Sequence, residues 1–187
     1  MKKFIYLILL IFFIFSCNKK KLDNPNIILI VADDLGWTDL SYMGSKYYET
    51  PNIDKLSKSG ITFLNGYASS ANCAPSRATM MSGKYHPSHG IYTVSPSDRG
   101  LDNTRKIIPI KNTENLSLNF FTIAEMLKSE GYTNAHVGKW HLGEKGNYPM
   151  DQGFDVNIGG WESGGPKGGY FSPYSNPNLE NGPEGEY

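Results

Sequence analysis

The chain has 187 residues, 39 % of them hydrophobic, with twelve tyrosines and nine phenylalanines. That is enough apolar material for the core of one domain, which excludes an intrinsically disordered chain. Eighteen Lys and Arg balance eighteen Asp and Glu, so no broad basic field points to nucleic acid, no acidic excess points to a solvating tail, and any anion specificity must be local.

Lys2 and Lys3 precede an unbroken apolar run from Phe4 to Phe15. The run is shorter than the ~20 residues of a membrane-spanning helix and fits a secretory h-region. Ile14-Phe15-Ser16-Cys17 then resembles a bacterial lipobox, with Phe15 atypical for that motif. Residues 1–17 are read as a signal peptide and Cys17 as a lipidation site, which implies an exported protein held in the periplasm or at the cell surface by a lipid anchor. A short uncleaved anchor would give the same topology. Residues 18–25, with Lys19, Lys20 and Lys21 in succession, read as a solvated tether.

Folded structure is expected from Asn26. The run Ile27-Ile28-Leu29-Ile30-Val31 is β-branched and continuously apolar, the pattern of a strand buried on both faces of a parallel sheet. It leads into Asp33-Asp34-Leu35-Gly36-Trp37. Ligand sites of open α/β sheets gather beyond strand carboxyl ends, and paired carboxylates repel one another unless a cation relieves them. Oxygen donors of this kind suit calcium or magnesium better than zinc, although an isolated Asp-Asp pair also serves to cap a turn. Pro51 opens a helix that Gly60 ends, and residues 61–68 read as a second strand or extended segment.

Cys73 stands in Cys73-Ala74-Pro75-Ser76-Arg77-Ala78-Thr79-Met80-Met81-Ser82-Gly83. With Cys17 consumed by the leader, Cys73 has no disulfide partner, so it is a reactive thiol, a modified residue, or a site of intermolecular pairing. Pro75 suits the first turn of a helix and Gly83 its end. Cys73 would then lie at the positive end of the helix, with Arg77 one turn on, a place suited to negative charge.

Residues 84–118 carry three prolines and little periodicity and read as a long surface excursion. His86 and His89 are taken as solvated loop residues rather than metal ligands. Asn115-Leu116-Ser117 forms a glycosylation sequon without a role. Thr122-Ile123-Ala124-Glu125 is a capping box for a helix ending at Gly131. A strand, residues 133–137, follows and delivers Lys139 and His141 to its carboxyl end; His136 inside it is read as a packed residue. In the glycine-rich remainder, Trp161, Tyr170, Phe171 and Tyr174 either line a sugar subsite or pack.

The Cys73 motif resembles the Cys-x-Pro-Ser-Arg motif of the type I sulfatases. Asp33-Asp34 followed by Gly36-Trp37, the segment Gly131-Tyr132-Thr133-Asn134-Ala135-His136-Val137-Gly138-Lys139-Trp140-His141, and Asp151-Gln152-Gly153-Phe154-Asp155 are similar to further stretches of that family, in the same order. The resemblance implies an α/β fold of the alkaline-phosphatase-like type, with a mostly parallel central sheet flanked by helices. It implies a sulfuric ester hydrolase whose substrates are sulfated carbohydrates or aryl sulfates. A maturating enzyme would oxidise Cys73 to formylglycine, and the hydrated aldehyde would attack sulfur and form a covalent sulfo-enzyme. Asp33, Asp34 and residue 73 would hold Ca2+, or Mg2+; Arg77 and Lys139 would stabilise charge on the sulfuryl group, and His141 would take up a proton. Sulfatases of this type are longer and complete their site from later segments, so 26–187 is expected to be the amino-terminal portion of an incomplete catalytic domain with poor activity. The competing readings are a phosphate or phosphonate ester hydrolase of the same superfamily and a non-catalytic lipoprotein that binds sulfated glycans.

Overall fold

The computed structural model describes residues 24–98 and 100–187; residues 1–17, read as a signal peptide, and Cys17 lie outside them. The chain divides into two units, Met1–Ala32 and Asp33–Tyr187. In the first, the described residues form no helix or strand and are solvent-exposed, so 27–31 is not a strand. Ile28 and Ile30 are 84 % and 82 % exposed. A strand that is apolar on both faces needs neighbours to satisfy its backbone and cover its side chains, and none pairs with it among the described residues.

The second unit opens with short 3-10 turns at Trp37–Asp39 and Ser41–Met43. Helix α1, Pro51–Ser59, follows with Pro51 at its first position and Gly60 at its end. Residues 61–68, read as a second strand or extended segment, form no strand, and Phe63 and Tyr67 are exposed. Helix α2, Cys73–Ser82, ends where Gly83 adopts φ 65° and donates its N–H to the Thr79 carbonyl, a left-handed cap that glycine adopts without Cβ penalty. Ala74, Ala78 and Ser82 form a buried stripe at helical spacing on α2, small enough for the backbone to approach its neighbours closely.

The expected loop over 84–118 is in part structural. Helix α3, His86–His89, buries His89, and Ile91, Asn112 and Leu116 are also buried. His89 is not the solvated residue its glycine- and proline-rich setting suggests: its Nδ1 accepts from the Ile91 N–H at 3.1 Å, and its Nε2 lies 3.3 Å from Thr79 Oγ1 on α2.

Helix α4, Ile123–Ser129, carries the expected capping box, with Thr122 Oγ1 accepting from the Glu125 N–H at 3.2 Å and Glu125 Oε2 from the Thr122 N–H at 2.7 Å. Strand β1, Ala135–Val137, pairs in parallel with β2, Val156–Ile158, placing His136 opposite Asn157. At the entry to both strands, Asp155 accepts from Lys128 and from the Asn134 N–H, and these bonds, that of Lys128 first, hold its carboxyl below the usual range. Gly153 is required there: its φ is 96°, and an added Cβ would stand 2.6 Å from the Glu125 backbone nitrogen.

The core gathers Ala74, Ala78, Ile91, Leu116, Trp140 and Leu142, with Met81, Phe120 and Phe154 against it. Trp140 is 1 % exposed, meets His136 and Phe154 edge to face, and donates its indole N–H to the Asn147 carbonyl at 2.8 Å. Truncating such a residue to alanine costs about 3–5 kcal/mol, so the chain just after β1 is anchored by its largest buried side chain.

Burial, and then the charge of His86, lower the pKa of His89 below the ordinary histidine value. As pH falls through about 6.5, the unfolded chain takes up this proton before the folded one, so stability declines until the folded value is passed. Chemical denaturation between neutral and mildly acid pH should therefore show a smaller loss for His89→Gln than for the unaltered chain; equal losses would show that His89 does not contribute.

Candidate active site

Three segments distant in sequence meet at Asp33. Its Oδ2 accepts from Lys139 Nζ at 2.5 Å, and its Oδ1 lies 3.5 Å from Arg77 Nη2. Arg77 Nη1 in turn donates to the Lys139 backbone carbonyl at 2.5 Å, so α2 and the turn after β1 are tied by one guanidinium. Burial alone would raise the pKa of Asp33, but Lys139 and then Arg77 outweigh it and keep the carboxyl below its ordinary range. Arg77 Nε is buried without a partner among the described residues. An unsatisfied buried donor costs about 1–3 kcal/mol, so an oxygen acceptor arriving there would be favoured.

Cys73, at the first position of α2, is half-buried and is not in a disulfide. Its Sγ lies 3.4 Å from His141 Nδ1. Arg77 follows at i+4, on the same side of the helix. The sequence-predicted residues Cys73, Arg77, Lys139, His141 and Asp33 are thus one connected group. Of the three segments that converge, only the one bearing Lys139 and His141 leaves a strand. Asp34 is exposed, with φ 55°, a left-handed conformation aspartate tolerates. The aspartate pair fits a hard divalent cation by donor type, but no group of three or more His, Cys, Asp or Glu side chains able to hold a metal is gathered among the described residues. Both oxygens of Asp33 face Lys139 and Arg77 instead.

His141 has φ 61°, a strained backbone for a non-glycine residue, worth about 1–3 kcal/mol. The Trp161 carbonyl holds it, accepting its N–H at 3.0 Å. Burial first, then Lys139 and Arg77, push its pKa below the ordinary histidine range, against opposing effects from Asp33 and a backbone hydrogen bond to Val94. The ring is therefore neutral at neutral pH. Beside it a pocket of about 230 Å³ is walled by Ala74, Thr93, Val94, Asn115, Glu144 and Glu162. Glu162 is fixed by Tyr148, whose Oη donates at 2.6 Å and whose pKa is pushed up to about 12 by this bond first, then by burial.

Sequence reasoning missed Gly164. A Cβ there would sit 2.3 Å from His141 Cε1 and 2.7 Å from Nδ1, so bare backbone packs on the imidazole. Several glycines surround it in the sequence, and nothing in that wording singles it out. The aromatic question divides: Trp161 is buried and packs, with Lys167 over its ring at 5.2 Å, whereas Tyr170 and Phe171 are exposed and stand against Tyr187.

A sequence model described as Sulfatase matches residues 25–178. The chain is 37 % identical to N-acetylgalactosamine-6-sulfatase of Rattus norvegicus over 160 residues, 83 % of this chain and 28 % of that protein. It is 34 % identical to arylsulfatase G of Mus musculus over 143 residues, 76 % of this chain and 25 % of the relative. The crystal structure of Ps i-CgsB superposes with a TM-score of 0.59 at 37 % identity, covering 72 % of this chain and 28 % of that one. A second structure of that protein, in complex with k-i-k-neocarrahexaose, matches at 36 % identity with the same TM-score of 0.59. The α/β architecture, a parallel strand pair with helices around it, is thus one that solved relatives share over this region. The chain belongs to the sulfatase family. It spans about 28 % of the length of N-acetylgalactosamine-6-sulfatase.

Gly164→Ala should force the imidazole of His141 away from Cys73. The expected result is a displaced ring, seen as lost nuclear Overhauser contacts between the two side chains, with destabilisation of about 1–3 kcal/mol from overpacking. An unmoved ring with unchanged stability would show that the close approach is relaxed elsewhere.

Proposed function

We propose that this chain carries the nucleophile-bearing portion of a sulfuric ester hydrolase that releases inorganic sulfate from sulfated carbohydrates. The observation that carries this reading is the contact of Cys73 with His141 beside a guanidinium and an ammonium that share one carboxylate. Membership of the sulfatase family, a relative named for N-acetylgalactosamine 6-sulfate chemistry, and a neighbour crystallised with neocarrahexaose support a glycan over a simple aryl sulfate.

The reading takes residue 73 in its oxidised, formylglycine form, made by a maturating enzyme from the Cys73 thiol. The oxidised side chain would supply an oxygen nucleophile, and Asp33, Asp34 and residue 73 would hold a divalent cation, Ca2+ or Mg2+, which would supply positive charge beside it. Arg77 and Lys139 bind the anionic ester and meet the charge that grows on it during transfer. Arg77 Nε is the donor with capacity to spare. His141, neutral at neutral pH, accepts a proton at Nδ1 from the side chain of residue 73. Gly164 and the pocket wall keep its ring in reach of that atom. Export through residues 1–17, with Cys17 lipidated, would place the enzyme in the periplasm or at the cell surface, where polymeric sulfated substrates are met.

Two measurements test the assignment. Co-expressed with a maturating enzyme, the peptide carrying residue 73 should lose about 18 Da as thiol becomes aldehyde, a change in the reacting group itself rather than in its pKa. In paired assays of sulfate and phosphate monoesters, the matured full-length protein should release sulfate, and Cys73→Ala should abolish release. Preferred phosphate turnover would overturn the reading in favour of a phosphohydrolase. Binding of sulfated glycan with the thiol unchanged would favour a non-catalytic lectin-like role.

A further inference from the structure

Asn115, the first residue of a sequon without a role, has a defined place in the structure. Its Oδ1 accepts from the Glu144 N–H at 3.1 Å, and the next residue, Leu116, donates its N–H to the Leu142 carbonyl at 2.8 Å. Between these bonds Gly143 lays bare backbone against Asn115: a Cβ there would stand 3.0 Å from Asn115 Oδ1 and 3.3 Å from its Cα. A backbone N–H can only donate, so the atom facing Glu144 is the amide oxygen and the orientation of the side chain is fixed. Its Nδ2, with two N–H donors, meets no acceptor among the described residues, and Asn115 is part of the wall of the cavity beside His141. Glu162 walls the same cavity; its Oε2 is taken by Tyr148 Oη at 2.6 Å, and its Oε1 meets no donor among the described residues. Ile91 and Val94 supply apolar wall, Glu114 and Glu144 further carboxylates, and no Lys or Arg among the described residues lines it. His141 stands at the boundary, with Nδ1 3.4 Å from Cys73 Sγ and its ring in the cavity wall. The cations of the site, Arg77 and Lys139, thus lie outside the cavity, and carboxylates line it.

At about 230 Å³ the cavity is smaller than the ~300–1,000 Å³ that drug-sized ligands occupy, and apolar surface with a few fixed polar groups is how such sites orient what they bind. A single sugar ring matches both the size and the chemistry: C–H faces for Ile91 and Val94, an oxygen for the Asn115 Nδ2–H groups, and a hydroxyl hydrogen for Glu162 Oε1. We propose that this cavity binds one neutral sugar ring of the glycan, read by Asn115 as donor and Glu162 as acceptor, and that its carboxylates reject a ring bearing a uronate or a second sulfate. Specificity of this kind comes from the repelled competitor as much as from the favoured ligand. The inference rests on the sulfate-ester reading for the glycan that fills the cavity. Its test needs no turnover, so sugar binding can fail while sulfate release stands, and the reverse.

The test is a titration of the full chain with methyl galactoside, methyl glucoside and the corresponding uronates, followed by nuclear magnetic resonance on the Asn115 side-chain amide and the Val94 methyl groups. The amide is assigned by its loss in Asn115→Asp. At least one neutral sugar should shift both signals saturably, and its uronate should bind at least about tenfold more weakly, because like charges brought together are costly. Asn115→Asp keeps an oxygen for the Glu144 N–H but loses the Nδ2 donors. It should weaken the neutral sugar about two- to tenfold, the worth of one net hydrogen bond, with the melting temperature unchanged. Glu162→Gln, which keeps an acceptor and loses the charge, should narrow the gap between sugar and uronate. No saturable shift with either neutral sugar, equal binding of the uronate, undiminished binding in Asn115→Asp, or an unchanged gap in Glu162→Gln would overturn the assignment.

Discussion

A single carboxylate organises the site. Asp33 lies next to an exposed apolar run, Arg77 lies inside a helix and Lys139 follows a short strand, and the three share no local structure that would bring them together. The two cations would repel each other without an anion between them, and Asp33 supplies it. The group is partly open to solvent, so its worth in stability is modest. Its worth in placement is larger, because the guanidinium also grips the Lys139 backbone and so joins the helix that bears Cys73 to the turn that bears His141.

That join depends on packing behind it. The small-residue stripe of α2 lets its backbone lie against Trp140 and Leu142, the residues on either side of His141 in the sequence. With Trp140 and Leu142 pointing inward, His141 is left to face Cys73, and its backbone pays in a left-handed φ. Strain of this kind persists only where the surroundings over-determine it. Here these are the Trp161 carbonyl on its N–H and the bare Gly164 backbone against its ring.

The elements that could be read from the chain are those whose signals are local. Pro51 and Gly60 bounded α1, Gly83 ended α2, and Thr122 with Glu125 opened α4, because caps act within one turn. The order of motifs was equally readable, since it needs only residue identities. The strand expected over 27–31 did not form, and 61–68, read as a second strand or extended segment, holds no strand, because a strand is completed by partners that its own sequence does not contain. His89 was mistaken for a solvated residue for a related reason: its glycine and proline neighbours are the marks of a loop, whereas its burial is decided by Thr79 and Ile91.

By itself the sequence determined which chemical groups are available and where helices start and stop: a thiol at a helix beginning, an arginine one turn on, paired aspartates, and a lysine and histidine past a strand. Only the tertiary structure decided that Asp33 lies between Lys139 and Arg77, that Sγ of Cys73 meets Nδ1 of His141, and that the bare backbone of Gly164 packs on the imidazole. Propensity and capping are fixed by neighbours within a few residues, whereas distances between side chains a hundred residues apart are fixed by how the core closes.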